Sequence, residues 1–70
     1  MCKLIEFSLN EQKYYGNGKF SISDLLVYFN YDSSLLVLEY NHCICDKKNW
    51  DTIFIKNGDE LEIVTIVGGG

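Results

Sequence analysis

The sequence lacks arginine, proline and alanine altogether. All six of its basic residues are therefore lysine, and the formal net charge is −4. Without arginine, the chain has no side chain suited to bidentate contacts with phosphate groups or guanine. Nucleic-acid binding is therefore not expected, and the acidic charge instead fits a protein that docks on basic surfaces of its partners.

Long apolar runs and paired cysteines are also lacking. No run approaches the roughly 20 apolar residues that a membrane-spanning helix needs. The N-terminal stretch is too short for a signal peptide and contains Glu6. Three cysteines are an odd number, and Cys43 and Cys45 are too close for an easy disulfide. We expect reduced thiols in a soluble intracellular protein that has no membrane association.

The missing residue types have a second implication. The chain is rich in lysine, asparagine, isoleucine, tyrosine and phenylalanine, a trend that follows A/T-rich codons. This bias indicates an organellar genome or an A/T-rich bacterium. The expected location is the plastid stroma if the gene is organellar, and the bacterial cytoplasm otherwise.

What is present predicts one small domain. A chain of 70 residues buries only about 60% of its unfolded surface, so every strand must contribute to the core. Apolar periodicity predicts the order β-β-α-β-β-β. One helix covers one face of a sheet, so we expect an α+β fold in which a mixed four- to five-stranded sheet packs on one helix, with the first and last strands as a central parallel pair. The predicted strands are residues 3–9, 12–15, 35–40, 52–55 and 60–67, and the predicted helix runs from about 21 to 30.

The start of the helix is the clearest local signal. Ser21 is placed to cap the helix by accepting from the backbone N–H near Asp24, and the Asp24 carboxylate partly reciprocates. Phe20 before the cap and Leu25 after it are placed for a hydrophobic staple. Apolar residues at helical spacing form one stripe that should face the core: Ile22, Leu25, Leu26 and Phe29.

The last strand runs directly into three glycines, Gly68, Gly69 and Gly70. Glycine frees the backbone, and these residues have no chain after them to connect. We expect a folded domain over residues 1–67 and a flexible glycine tail over residues 68–70. A bare terminal carboxylate on a thin tether is useful when another protein must take that carboxylate into a narrow site.

The side chains just before the tail form a candidate docking patch. If Leu61 and Ile63 face the helix, Ile66 lies on the outer face of the sheet, and Val64 joins it if the strand contains a bulge. Exposed β-branched residues beside the tail indicate a surface for a partner. The alternative is a central strand with both faces partly covered.

Several motifs together resemble the sulfur carrier proteins of thiamine (thiazole) biosynthesis, the ThiS-like family, which have a ubiquitin-like β-grasp fold. The resemblance covers essentially the whole chain, and its specific part is the final segment. The motifs are Ser21-Ile22-x-Asp24-Leu25-Leu26, an apolar strand ending in Asn41, then Trp50, and finally Asn57-Gly58-Asp59-Glu60-Leu61-Glu62-Ile63-Val64-x-x-Val67-Gly68-Gly69-Gly70.

The resemblance implies a chemistry for Gly70. An adenylating, E1-like partner would join the Gly70 carboxylate to AMP from ATP, and a persulfide sulfur donor would displace AMP to give a thiocarboxylate. Thiazole synthase would then take the sulfur. The chain itself would be a co-substrate without an active site and would bind no cofactor, since the partner consumes the ATP. Gly68 and Gly69 would form the tether, and Val64, Ile66 and Val67 the grip.

Other functions remain open. The small subunit of molybdopterin synthase, or another β-grasp sulfur carrier, is the nearest alternative, although such chains usually end on two glycines and tend to be longer. A ubiquitin-like modifier conjugated to lysines is a second alternative. A plain interaction domain whose glycine end is inert, or an end that is only a cloning scar, is a third.

A cysteine-rich stretch invites a metal site. A structural zinc site needs four ligands, usually in paired spacing, and only Cys2 remains to complete His42, Cys43 and Cys45. We therefore expect no metal site and ordinary, semi-buried thiols. A persulfide relay through Cys43 or Cys45 is a weaker alternative.

Two further features lie outside the helix and its stripe. Trp50 interrupts a polar stretch and is expected to plug the edge of the core. Asp59, Glu60 and Glu62 are expected to be turn and solvent-face residues, with docking of a basic partner as their alternative role.

Overall fold

The computed structural model describes residues 4–66, and it begins with a β-hairpin. Strands β1 (Leu4–Leu9) and β2 (Gln12–Asn17) pair antiparallel along their whole length. The turn between them consists of Asn10 and Glu11, which both adopt positive φ angles, of 51° and 69°. This is the backbone that a tight two-residue hairpin turn requires.

The single helix of the described residues, α1 (Ile22–Tyr28), is capped as predicted. The Asp24 N–H donates to Ser21 Oγ at 3.1 Å, and the Ser21 N–H donates to the Asp24 carboxylate at 3.0 Å. The helix is shorter than the predicted 21–30, because Ser21 is its cap and Asn30 turns into a left-handed conformation with φ 63°. The helix is also too short to cross a membrane.

Three further strands complete a mixed five-stranded sheet in the order β2-β1-β5-β3-β4. They are β3 (Leu36–Tyr40), β4 (Cys43–Ile44) and β5 (Glu60–Thr65). The last strand is central and pairs parallel with β1 and antiparallel with β3. The α+β fold, the mixed sheet and the central parallel pair are therefore confirmed.

The prediction for the fourth strand was wrong. Residues 52–55 form no strand of the sheet, and Phe54 makes only an isolated bridge with Ser21. This segment crosses beside the start of α1, where the Ile22 N–H donates to Ile53 C=O at 3.0 Å. The actual fourth strand is β4, in a stretch for which no strand was predicted, because Asn41 and His42 adopt positive φ and fold the chain back on β3.

The core lies between α1 and one face of the sheet. The predicted helical stripe is confirmed: Ile22, Leu25 and Leu26 are buried, and Phe29 packs against them. Trp50 is buried as expected, and its indole N–H donates to Cys45 C=O at 3.1 Å. The sheet contributes alternate side chains from its strands: Ile5, Phe7, Leu9, Leu36, Leu38, Leu61 and Ile63.

Candidate docking site around strand β5

The beginning of β5 is anchored by a buried carboxylate. Asp59 is only 7% exposed and accepts three hydrogen bonds. The Tyr40 hydroxyl and the Lys56 N–H donate to Oδ2 at 2.7 Å each, and the Asn41 side-chain amide donates to Oδ1 at 3.2 Å. The expectation that Asp59 is a solvent-face residue was wrong, because this carboxylate replaces water with three protein donors.

The contact with Asp59 also affects Tyr40. Partial burial, the hydrogen bond to the Asp59 carboxylate and the negative charge of that carboxylate together raise the pKa of Tyr40 to about 12. All three causes favour the neutral phenol, which remains the hydrogen-bond donor. The ordinary hydroxyl form of Tyr40 is therefore held in place at the start of β5.

The end of β5 extends beyond its neighbour β1. The parallel pairing covers only Ser8 with Glu60 and Leu9 with Leu61, after which β1 turns away at Asn10. The Asn10 side chain compensates partly, since its Oδ1 accepts from the Ile63 N–H at 2.7 Å. From there to Thr65, the backbone of β5 pairs with β3 alone.

The pairing shows which backbone groups stay open. Even-numbered residues of this segment bond to the β3 side, as shown by the Ile66 N–H donating to Leu35 C=O at 2.7 Å. The odd-numbered residues therefore point their N–H and C=O groups to the other side. Within residues 4–66, Ile63 C=O and Thr65 N–H have no hydrogen-bond partner there. The strand that leads to the chain end thus presents an open edge.

The two described members of the predicted grip are both exposed. The exposed fraction is 61% for Val64 and 52% for Ile66. Val64 needs no bulge, because the register from Leu36 with Thr65 to Tyr40 with Leu61 is continuous and Val64 simply alternates with buried Ile63. The other predicted site residues, Val67, Gly68, Gly69 and Gly70, lie outside the described residues.

Neighbouring strands enlarge the exposed surface beyond what the sequence predicted. Val37 lies directly opposite Val64, and Ile44 lies opposite Glu39 on the same face of the sheet. Ile44 is 74% exposed. The alternation of Leu36 and Leu38 with Val37 carried a signal for the first of these, but Ile44 depends on a strand that was not predicted.

Two carboxylates lie within this apolar surface. Glu39 and Glu62 are a directly opposed pair on β3 and β5. Neither carboxylate has a basic partner among residues 4–66: Lys13 pairs with Glu6 at 3.1 Å, and His42 Nε2 lies 2.9 Å from the Glu60 carboxylate. We call this surface the outer patch and define it by its six residues: Val37, Glu39, Ile44, Glu62, Val64 and Ile66.

The cysteine-rich stretch shows separate environments for its thiols. Cys43 is exposed on β4, whereas Cys45 is half-buried. Burial raises the pKa of the Cys45 thiol, with the nearby Asp46 charge acting in the same direction. Within residues 4–66, no three His, Cys, Asp or Glu side chains are grouped to hold a metal ion. The Cys45 thiol is therefore less ionised than an ordinary cysteine, which weakens its use as a nucleophile.

Some known proteins are similar to this chain in sequence, and one solved structure is similar in fold. The ycf40 protein of Trieres chinensis, described as uncharacterized, is 59% identical over 64 residues, which cover 91% of this chain and 88% of that protein. The ycf40 protein of Porphyra purpurea, also described as uncharacterized, is 29% identical over 68 residues, covering 97% of this chain and 96% of that protein. A crystal structure of the thiamine biosynthesis protein ThiS from Geobacter metallireducens superposes with a TM-score of 0.81 at 20% identity. That match covers 94% of this chain and 100% of the other, and it confirms the β-grasp fold.

A family model adds the sequence relationship. The ThiS family model matches residues 5–70, which includes the terminal glycines. With this match over nearly the full length and the β-grasp sheet described above, the chain belongs to the ThiS family of ubiquitin-like sulfur carriers.

Proposed function

We propose that the chain carries sulfur for thiazole formation in thiamine biosynthesis, as a thiocarboxylate on Gly70. The observation that carries this proposal is the family match, which runs through to the last glycine. The chain acts as a protein co-substrate and is regenerated in each cycle. It has no active site of its own and binds no cofactor.

The proposed chemistry activates a poor electrophile. The adenylating partner uses ATP to join the Gly70 carboxylate to AMP, and pyrophosphate leaves. A persulfide on the sulfur donor attacks the acyl carbon, and AMP leaves as the new C–S bond forms. A thiol then cleaves the S–S bond, so the terminal sulfur stays on Gly70 and the donor becomes a disulfide. The thiocarboxylate sulfur is a good nucleophile toward the substrate of thiazole synthase.

The tail suits this transfer for steric reasons. Gly68, Gly69 and Gly70 span roughly 10 Å when extended, at about 3.3–3.6 Å per residue. Glycine has no Cβ, so attack at the Gly70 carbonyl is unobstructed and the tether fits a narrow channel. The partner must offset the conformational entropy of this segment when it binds.

The outer patch supports docking of the adenylating enzyme. Exposed Val64 and Ile66 lie on the strand that leads to the tail, and Val37 enlarges the apolar area beside them. Apolar contacts at the centre of an interface supply most of its affinity. The open backbone edge at Thr65 offers additional hydrogen bonds to a partner strand. We propose that Val64, Ile66 and Val67 grip the partner while Gly70 enters its active site.

The charges of the outer patch define the expected partner surface. Within residues 4–66, neither Glu39 nor Glu62 forms an ion pair with a basic side chain. A partner that places a lysine or arginine between them would relieve their mutual repulsion and accelerate association. We expect the adenylating enzyme to present an apolar area with a basic residue next to it.

We also propose that the chain works in the plastid stroma. Two observations support this location: an amino-acid composition that follows the trend of A/T-rich codons, and 59% identity with a ycf40 protein. The ycf40 relatives are plastid-encoded. The alternative location is a bacterial cytoplasm, and finding the gene in a bacterial chromosome would favour it.

Reconstitution tests the proposal directly. The chain is incubated with ATP, the adenylating enzyme, a persulfide donor and a reducing thiol, and then weighed as an intact protein. We expect a gain equal to the mass difference between sulfur and oxygen, and a chain lacking Gly70 should show none. Transfer to thiazole synthase separates this function from molybdopterin synthesis, and lysine-linked adducts would favour a protein modifier. If no adenylate and no thiocarboxylate form, the sulfur-carrier proposal is wrong.

A further inference from the structure

An aromatic cleft lies on the opposite part of the molecule from the outer patch. It occupies about 480 Å³ between strand β2 and helix α1. Gly16 lets the Phe20 ring pack closely against β2 at this cleft, because a Cβ at this position would lie 2.8 Å from that ring. The apolar side chains that line the cleft are Phe7, Tyr14, Phe20, Leu25, Tyr28 and Phe29.

Beside this cleft, β2 forms an open edge of the sheet. Within residues 4–66 its only partner strand is β1. Glu6 and Ser8 of β1 direct their backbone groups toward the β5 side: the Gly58 N–H donates to Glu6 C=O at 2.7 Å, and the Ser8 N–H donates to Asp59 C=O at 2.9 Å. Tyr15 and Lys13, which oppose Glu6 and Ser8, therefore point their N–H and C=O groups away from β1. Among residues 4–66 these groups have no hydrogen-bond partner.

The charge of the cleft selects among the side chains that it can accept. Asp24 lines it, and Tyr28 lies one helical turn further on the same side of α1. No basic residue lines the cleft. The two nearest lysines in sequence are engaged elsewhere, since Lys13 pairs with Glu6 and Lys19 lies over the Phe54 ring at 4.9 Å. The Asp24 carboxylate accepts from the Ser21 N–H but takes part in no ion pair of residues 4–66. Aromatic faces beside such a carboxylate favour a cation.

We propose that the edge of β2 and this cleft together bind an extended peptide segment of another protein that carries an arginine. The backbone of the segment adds to the sheet by hydrogen bonds to Lys13 and Tyr15. Its arginine side chain enters the cleft, where the guanidinium plane stacks on Tyr28 and donates hydrogen bonds to the Asp24 carboxylate. Arginine suits this site better than lysine because its planar group both stacks and forms paired hydrogen bonds.

This binding surface is independent of the sulfur-carrier surface. Strand β1 separates β2 from β5, and the side chains of the outer patch lie on the face of the sheet away from α1. A segment bound in the cleft therefore leaves Val64 and Ile66 free. The chain can be held by one protein while a second one acts on its tail, and the cleft would exist whether or not Gly70 carries sulfur.

A peptide titration followed by NMR tests the proposal. The ¹⁵N-labelled full chain is titrated with an acetylated and amidated pentapeptide, Thr-Val-Arg-Val-Thr. We expect saturable shifts at the amides of Lys13, Tyr15, Asp24 and Tyr28. A peptide with citrulline, which has the shape of arginine without its charge, should bind about fivefold more weakly. A peptide N-methylated at both valines should not bind, because it cannot pair with the strand.

Matched variants locate the charge that is responsible. Asp24→Asn should lower the affinity for the arginine peptide about fivefold and leave the affinity for the citrulline peptide unchanged. The reason is that the citrulline peptide already lacks the charge that interacts with Asp24, so the two changes are not additive. Glu62→Gln removes the same charge from the outer patch and should change neither affinity. An unchanged melting temperature shows that Asp24→Asn retains the helix cap.

Three results would overturn the proposal. The first is equal affinity for the arginine and citrulline peptides, which would show that the positive charge does not contribute to binding. The second is a set of shifts confined to β3 and β5, which places the peptide on the outer patch. The third is the appearance of the same shifts when the protein concentration is raised without any peptide, which would show that the edge of β2 binds a second copy of the chain.

Discussion

Glu39 and Glu62 lie directly opposite each other on β3 and β5, on the face of the sheet away from the helix. Two like charges in such a cross-strand pair destabilise a sheet. The ion pairs of the described residues do not include either of them. The outer patch therefore contains a local repulsion that a cation from outside would relieve.

Removing one of these charges should separate stability from docking. We expect Glu62→Gln to raise the free energy of unfolding by about 0.5 kcal/mol, because the repulsion disappears. The same variant should slow adenylation at low ionic strength, and added salt should reduce the difference. Urea denaturation and pyrophosphate release measure the two effects.

The exposed turn residue Glu11 supplies the control for this charge. Glu11→Gln changes the net charge by the same amount away from the outer patch, so it should leave adenylation unchanged. If both variants slow the reaction equally, overall charge and not the Glu39–Glu62 pair governs association.

Val64 should act in docking and not in folding. We expect Val64→Thr to raise the KM of the adenylating enzyme for this chain about fivefold, because a hydroxyl enters an apolar interface. Threonine retains the β-branched shape that a strand favours, so the melting temperature should change little. Steady-state adenylation kinetics give KM, and thermal unfolding gives the stability.

Helix α1 provides a matched position. Val27 is 77% exposed and lies away from the outer patch, so Val27→Thr makes the same chemical change without touching the proposed interface. Its KM should equal that of the unaltered chain. A Val64→Thr variant with unchanged KM would remove Val64 from the docking surface.

Asp59 should be the most sensitive polar residue of the described fold. We expect Asp59→Asn to lower the free energy of unfolding by about 2 kcal/mol, because the new amide has a single oxygen and cannot accept all three hydrogen bonds of this buried position. Tyr40→Phe removes only one of the three hydrogen bonds and should cost about 1 kcal/mol. Urea denaturation of both variants and of the double variant measures the coupling, and equal costs would mean that the other two donors contribute nothing.

The stability of the chain should fall in alkaline solution because of Tyr40. Its pKa rises from 10.0 to about 12 in the folded state, so folding favours the protonated phenol. That stabilisation is complete below pH 10 and is lost as the pH rises to about 12. Tyr40→Phe should flatten this part of the curve of unfolding free energy against pH. A curve with the same slope in both proteins would assign the alkaline loss to other groups.

Local signals in the sequence predicted those parts of the fold that depend on neighbouring residues. The capping box of Ser21 and Asp24 and the helical stripe need only contacts within about one turn, so the sequence contains them fully. Alternation along the last strand likewise predicted that Ile66 would be exposed. The central parallel pair was inferred from the layer argument and is confirmed.

Features that depend on distant residues were missed. Residues 52–55 have strand-like side chains, but their hydrogen bonds go to Phe20 and Ile22 beside the helix start. No strand was predicted at Cys43 and Ile44, yet the turn at Asn41 brings them beside β3, where they pair with it as strand β4. Asp59 looked like an exposed turn residue because two of its three donors, Tyr40 and Asn41, lie far from it in sequence.

The central position of β5 has a consequence for synthesis of the chain. The β1–β2 and β3–β4 hairpins each join strands that are close in sequence, whereas β5 is the last strand of residues 4–66 and, among them, the only link between the two hairpins in the sheet. Local hairpins form early in folding, and pairings between distant residues form late. The sheet therefore closes only after the final strand has left the ribosome. Chains that end prematurely leave two separate hairpins, so an incomplete product does not compete for the partners of the finished protein.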